Sequence, residues 1–496
     1  MALFTLSLTN NSETIDFLDS TTFKVMDGGF DIGTPSNKRT LAPIREGFYI
    51  PLNSPASYRE STIKFSIHGT TRSNCISSLQ KLQRIINSIH RREFIEQGRR
   101  GQLSYAWSGA TNVTYFEVFG ADFIEQPDDI LSVEKIHRNI GGDYVIPDLK
   151  IKLYLSAVGY GLSIYSAVTN ELQLSTAYES AKTGGVGIEN AGNDTGNSNW
   201  VQIASTQVPG SSPYIIKLYL QSGSTYSLWN TMYITHQIGD TSKLTIFDVQ
   251  DGTDLIGGIG SLVTDDYANY NSAKTTRKYF QIPIDGDDGF YSQEIVFGWD
   301  LPNQIGTFLA LLHSTSQKFS TSVAYRFALG YSSYWDHVIN YDWISSANYY
   351  MLPLGIVTLP PGDKDIYQAG NIESLKMGFG LNGSPNGGVG YNTYVDYLEL
   401  MPANNGVRIL TNKTQVGSTN TGIFIDDYWQ GLAYYLRTGG YVSNIVPLMS
   451  PIFLEPATTQ RLYFHSCGYE NHGTVERGRE FTVKLYAVPT YETLAE

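Results

Sequence analysis

The sequence predicts a mainly β protein in which one α+β domain comes first and a β-sandwich or jelly-roll region follows. Three observations predict it. The 496 residues include 48 Gly, 19 Pro and 35 Tyr, a composition of strands and turns. Only one segment carries a helical stripe of apolar residues. After about residue 160 the chain breaks into short apolar alternations separated by Gly, Ser, Asn, Asp and Pro clusters.

The amphipathic segment is Asn74–Phe94. Ile76, Leu79, Leu82, Ile85, Ile86 and Ile89 recur at helical spacing, Ser73 or Asn74 is placed to cap the start, and His90, Arg91 and Arg92 suit the negative end of the dipole. Just before it, Ser61–His68 alternates Ile63, Phe65 and Ile67 with Lys64, Ser66 and His68, the period of a half-buried strand, and Gly69 allows the turn between them. Further strands are predicted at Thr22–Met26, Leu103–Trp107, Tyr115–Phe123 and Leu149–Leu155. Together they make a sheet with one packed helix, a domain over 1–160.

From 161 to 403 the clearest strands are Ile215–Leu220, Ser227–Thr235, Ser292–Trp299, Val323–Leu329, Leu352–Leu359 and Tyr394–Leu400. Gly184–Asn199 and Gly378–Tyr391 read as long loops. A third segment, 404–496, has strands near Val407–Leu410, Arg461–His465 and Arg479–Tyr486. IKLYL appears twice and VKLY once more, at unequal separations, so no repeat architecture follows.

Charge narrows the function. Lys+Arg 34 against Asp+Glu 47 leaves −13, with no positive field to hold phosphate backbones or anionic lipid. Specific nucleic-acid recognition is therefore not expected. No apolar run reaches the ~18 residues of a membrane span, and Met1–Asn11 lacks the features of a signal peptide, which predicts a protein made in the cytosol and not exported by the usual route. Cys75 and Cys467 are expected to be free thiols.

Signals of catalysis are sparse. No GxSxG, Walker loop or HExxH occurs. His465 and His472 are close enough in sequence to approach a metal, although solvated loop histidines are the ordinary reading. Asp285–Gly289 and Gly362–Asp365 concentrate carboxylates as calcium sites do, but neither completes an EF-hand and acidic turns are ordinary in so acidic a chain. No other cofactor is expected. A glycosidase needs two opposed carboxylates, for which Asp342, Asp396, Glu399, Asp426 and Asp427 qualify only as acids.

The middle region is rich in aromatics, including Tyr331, Tyr334, Trp335, Tyr341 and Trp343. Exposed rings on loops stack on the apolar faces of sugars, so Tyr331, Tyr334, Trp335 and Trp343 are the candidate carbohydrate-binding residues; core packing is the competing use and should claim at least half of the aromatics. The cluster Arg91, Arg92, Arg99 and Arg100 fits subunit contact or dipole complement better than nucleic acid.

Four segments taken together, FKVMDGGFDIG (Phe23–Gly33), STIKFSIHG (Ser61–Gly69), the Leu/Ile helix Cys75–Phe94 and DLKIKLYL (Asp148–Leu155), resemble the distal tail proteins of long-tailed bacteriophages. The resemblance covers about the first third of the chain. It implies a tail-tube-like domain that assembles into a ring, six-fold in that family, between tail tube protein and baseplate hub protein. LPLGIVTLPPGD (Leu352–Asp363) with YVDYLELMP (Tyr394–Pro402) is similar to jelly-roll, carbohydrate-binding-module-like domains inserted in such proteins. RLYFH (Arg461–His465) and REFTVKLYAVPTY (Arg479–Tyr491) look like their closing segments. What this implies is a structural, non-enzymatic part of a virion tail tip, made in host cytoplasm, with host surface glycan as a candidate ligand. An acidic channel wall would let DNA slide. The alternatives are a tail-associated glycosidase and a plain sugar-binding protein, which would ordinarily carry a secretion signal.

Overall fold

The computed structural model describes residues 4–33, 39–53, 58–89, 101–124, 136–189, 198–208 and 212–220, apart from gaps of one to three residues. From 229 onward it describes 229–239, 403–405, 452–459, 488 and the strands named below. The fold is mainly β, with antiparallel pairing throughout its sheets and α1 as the α-helix among the described residues. The chain divides into two compact units: 1–170 with 209–212 and 488–496, and 171–208 with 213–487.

The first unit holds β1 (Phe4–Thr9), β2 (Thr14–Asp16), β3 (Phe23–Asp31), β4 (Arg39–Arg45), β5 (Phe48–Asn53), β6 (Arg59–Gly69), α1 (Arg72–Ile89), β7 (Gly101–Trp107), β8 (Thr114–Phe123), β9 (His137–Arg138), β10 (Tyr144–Leu155) and β11 (Gly159–Tyr160). The sheet runs β2-β1-β7-β8-β10-β6-β3, and β4 and β5 pair with each other as a separate hairpin. The sheet curls until its two edges meet. Beyond β2, Phe17 N–H donates to Leu6 O, and Val25 N–H of β3 donates to Phe17 O. Phe4 and Phe30 stack with centroids 5.9 Å apart, and Tyr105 lies 5.4 Å from Phe30.

Alternation decides which face is inside. Ile63, Phe65 and Ile67 of β6 and Leu149, Ile151, Leu153 and Leu155 of β10 are buried, facing Leu79, Leu82, Ile85 and Ile89 of α1. The helix begins two residues before the expected start. Its cap is Thr71, whose Oγ1 accepts the Asn74 N–H at 3.2 Å, rather than Ser73 or Asn74, and both of those lie within the first turn. His90, Arg91, Arg92, Arg99 and Arg100 lie outside the described residues. β10 carries a bulge between Ile146 and Leu149, where Asp148 adopts φ +54°. Cys75 is a free, buried thiol, as expected, and burial raises its pKa.

Two sheet pairs, one inserted into the other, build the second unit. The parent pair consists of a six-stranded sheet and a second sheet. The six-stranded sheet is ordered Leu174–Ser175, Trp200–Ile203, Gln460–Cys467, Trp229–Ile238, Gly406–Val416, Val446–Leu448. Its partner is ordered Val186–Glu189, Glu480–Ala487, Ser212–Leu220, Gly422–Asp427, Leu432–Arg437, Val442–Asn444, with Phe453–Leu454 alongside Ser212–Leu220. Val201, Met232, Ile234, Leu462 and Phe464 of one pack with Val186, Phe481, Val483 and Leu485 of the other. The expected facing of Phe481, Val483 and Leu485 is what the structure shows.

Between Ile238 and Gly406 the chain makes two further sheets. One is ordered Ser261–Thr264, Lys278–Ile284, Tyr391–Pro402, Gly306–Ser316, Tyr349–Leu359, with Thr245–Asp248 against Tyr391–Pro402. The other is ordered Asp254–Ile256, Tyr291–Gly298, Ser374–Gly383, Val323–Tyr331, Tyr334–Ile344. Two expected loops are partly strand. Val186–Glu189 and Ser374–Gly383 both pair, because Val186 and Ile188, like Leu375, Met377, Phe379 and Leu381, alternate at period two beneath the glycines.

Candidate functional site

The inserted sheet containing Tyr391–Pro402 and Gly306–Ser316 stacks on the outer face of the six-stranded parent sheet. Register fixes which residues meet. Leu309 pairs with Met401 and Leu311 with Glu399, so these four share one face. On the parent side Tyr233 pairs with His465, and Thr235 with Tyr463, sharing the face that points away from the parent core. Leu309, Leu311, Met401 and Ala403 pack there against Tyr233, Val407 and Tyr463.

Within this apolar seam lies a buried polar group. Glu399 and His465 are both 0% exposed, and His465 Nδ1 is 2.7 Å from Glu399 Oε2. The two form a buried ion pair across the seam, while among the described residues His465 Nε2 and Thr235 Oγ1 have no hydrogen-bond partner. Asn199 Nδ2 donates to Glu399 Oε1 at 3.3 Å. Tyr463 OH donates to Gln237 Oε1 at 2.8 Å, and the Arg461 guanidinium lies 4.4 Å from the Trp200 ring centroid. The expectation of a solvated loop histidine is thus wrong for His465, which sits within a strand where the inserted sheet covers it.

A second histidine is buried on the opposite face of the same strand layer. His236 Nε2 is 2.8 Å from Gln460 Oε1 and Nδ1 is 3.0 Å from Asn405 Nδ2. An amide oxygen and an amide nitrogen on the two ring atoms suit the neutral tautomer that donates from Nε2. Burial lowers its pKa to about 4, against a smaller raising effect of the Gln460 bond. Nearby, Arg408 donates to both oxygens of Asp426, at 3.0 and 2.8 Å, in a buried bridge between the parent sheets. The expected acids Glu399 and Asp426 are therefore sealed from solvent, the opposite of what a glycosidase carboxylate requires.

The other sequence candidates fall differently. Tyr331 ends the strand Val323–Tyr331, while Tyr334, Trp335 and Trp343 belong to Tyr334–Ile344, and Tyr331 is in register with Tyr334. They are strand residues rather than loop residues, and their side chains lie outside the described residues, as do those of Asp342 and Asp396. Asp285–Gly289, Gly362–Asp365 and His472 also lie outside them. Among the described residues no three His, Cys, Asp or Glu side chains are grouped to hold a metal ion, and no helix is long and apolar enough to cross a membrane.

One surface feature had no sequence signal. On the first unit, Tyr58, Phe119, Gly120 and Tyr154 line a shallow depression on the side of the sheet away from α1. Tyr58 meets Tyr154 edge-on at 6.0 Å, Lys152 Nζ lies 5.1 Å from the Tyr154 centroid, and Lys152 pairs with Glu60 at 2.7 Å. Phe119 is half exposed because the register slips between Tyr154 and Leu155, which turns it outward.

No protein-family model matches the chain, and no curated protein matches it. Among solved structures, the Dit protein of phage SPP1, described as a paradigm of the hub adsorption apparatus in phages infecting Gram-positive bacteria, is similar at 8% identity with a TM-score of 0.27, over 99% of this chain and 100% of that one. The phage p2 baseplate in its activated conformation with Sr is similar at 8% identity and TM-score 0.21, over 81% and 99%. Infectious bursal disease virus, Gx strain, follows at 9% identity and TM-score 0.18, over 67% and 84%. Scores at this level do not establish a shared fold.

Proposed function

We propose that this chain is a structural component of a phage tail tip. Its first unit associates with further copies into an adapter ring between tail tube and baseplate hub, and its second unit displays β surfaces, with host glycan as the candidate ligand. The observation that carries the reading is the build of the first unit. The four segments that resemble distal tail proteins fold into β3, β6, α1 and β10, neighbours around one core. The aromatic depression at Tyr58, Phe119 and Tyr154, with half-exposed Trp107 elsewhere on the unit, supplies apolar surface of the kind a ring subunit buries.

Negative-stain microscopy of the purified protein, beside virions labelled with an antibody to it, tests the reading. Rings, or label at the tail tip, are expected; isolated monomers together with unlabelled virions would remove it. For the glycan part, Trp335→Ala and Trp343→Ala should each weaken binding on a glycan array at least ten-fold while leaving the thermal transition in place. Unfolding of both would make them core residues.

A further inference from the structure

We propose that the inserted sheet pair is a hinged flap, which undocks as a rigid body from the parent sheet at the Glu399–His465 seam. The inference concerns the second unit alone and stands independently of the tail-tip reading.

The seam is built to be reversible. Its apolar part, Leu309, Leu311, Met401, Ala403 and Val407, favours docking. Its polar part opposes it: docking strips water from the Glu399–His465 ion pair, whose desolvation offsets its attraction, and leaves His465 Nε2 and Thr235 Oγ1 without hydrogen bonds among the described residues. Undocking rehydrates these groups while leaving each sheet's own ladder intact, because every strand pairing stays on its own side of the seam. The parent core differs in this respect. There the buried charges Arg408 and Asp426 are matched by two direct bonds.

The return crossing of the chain is short and has a defined pivot. Ala403 N–H donates to Thr307 O in the insertion, whereas Asn405 N–H donates to His236 O in the parent sheet. Only Asn404 lies between these two anchors. Its side chain clasps the outgoing strand, accepting from Ile238 N–H at 2.8 Å and donating to Ile238 O at 3.0 Å. Both strands of the neck are thereby tied at one point, with Gly239 (φ +79°) and Gly406 (φ +142°) flanking it. This geometry permits rotation about Asn404 while both anchors persist.

Two fully buried histidines make the test internal to the native protein. His465 lies in the seam, and His236 lies on the other face of the same sheet, toward the parent core. Carbethoxylation by diethyl pyrocarbonate, followed by mass spectrometry and normalised to rates in the urea-unfolded chain, should modify His465 at least ten-fold faster than His236. Leu311→Asp should speed His465 further and leave His236 unchanged. Equal rates at the two histidines in the native chain would overturn the proposal, since the seam would then open only with global unfolding. Rigid-body motion is read separately from spin labels at Ile356→Cys and Phe453→Cys, exposed positions on the two sides, with Cys467→Ser. Two distances are expected, and a single distance unaltered by Met401→Asp or Leu311→Asp would overturn the hinge.

Discussion

His236 converts its burial into a dependence on acidity. The native ring stays neutral down to about pH 4, whereas an unfolded histidine takes its proton near 6.5. The folded pKa is the lower one, so the stability linked to this group is fully present above pH 6.5, falls as pH drops toward 4, and is level below that. The total is about 3 kcal/mol. Urea unfolding at pH 7.5, 5.5 and 4 should show the decline, and His236→Gln should remove that share of it. Gly33 sets a different limit, because at φ +69° an added Cβ would run into the Glu60 carbonyl. Gly33→Ala is expected to lower stability by about 2 to 3 kcal/mol, measured by thermal unfolding. The FKVMDGGFDIG segment advertised such a glycine. Nothing in the sequence advertised the burial of His236 or His465, since each owes it to residues more than fifty positions away.

Elements were legible where their own period decides them. The helix stripe from Leu79 to Ile89 and the alternations of β6 and β10 turn up on the faces they imply. Boundaries were less so. Thr71 caps α1 because its backbone arrives from the turn after Gly69 in the right direction, which no propensity records. Thr71→Ala should cost about 1 kcal/mol, whereas Leu82→Ala, at a site with no exposure, should cost about 2 to 5 kcal/mol in the same denaturation experiment. Strands β1 and β2 escaped sequence reading, since FTLSLT and TID are too short to separate from loop without their neighbours. The glycines of Ser374–Gly383 hid another.

At the scale of the molecule, pairing between distant segments could not be read from the sequence. Trp229–Ile238 and Gly406–Val416 are adjacent antiparallel partners, so the whole insertion occupies the place of a hairpin turn. Replacing 240–403 by a short turn should leave a cooperatively folding protein, seen as one thermal transition in circular dichroism. It should be less soluble, because Tyr233, Val407 and Tyr463 lose their cover. A chain unable to fold without the insertion would show that the parent sheet depends on the seam for its stability.

The last described strand, Thr490–Tyr491, pairs with Gly159–Tyr160 in the first unit. A ribosome releases the chain from the amino end, so the early sheet must wait through synthesis of the entire second unit with that edge open. Unpaired edges invite addition by other strands. Nascent chains are therefore at their most adhesive during this interval. Any lesion that removes Thr490–Tyr491 would leave the edge permanently uncovered in every copy made.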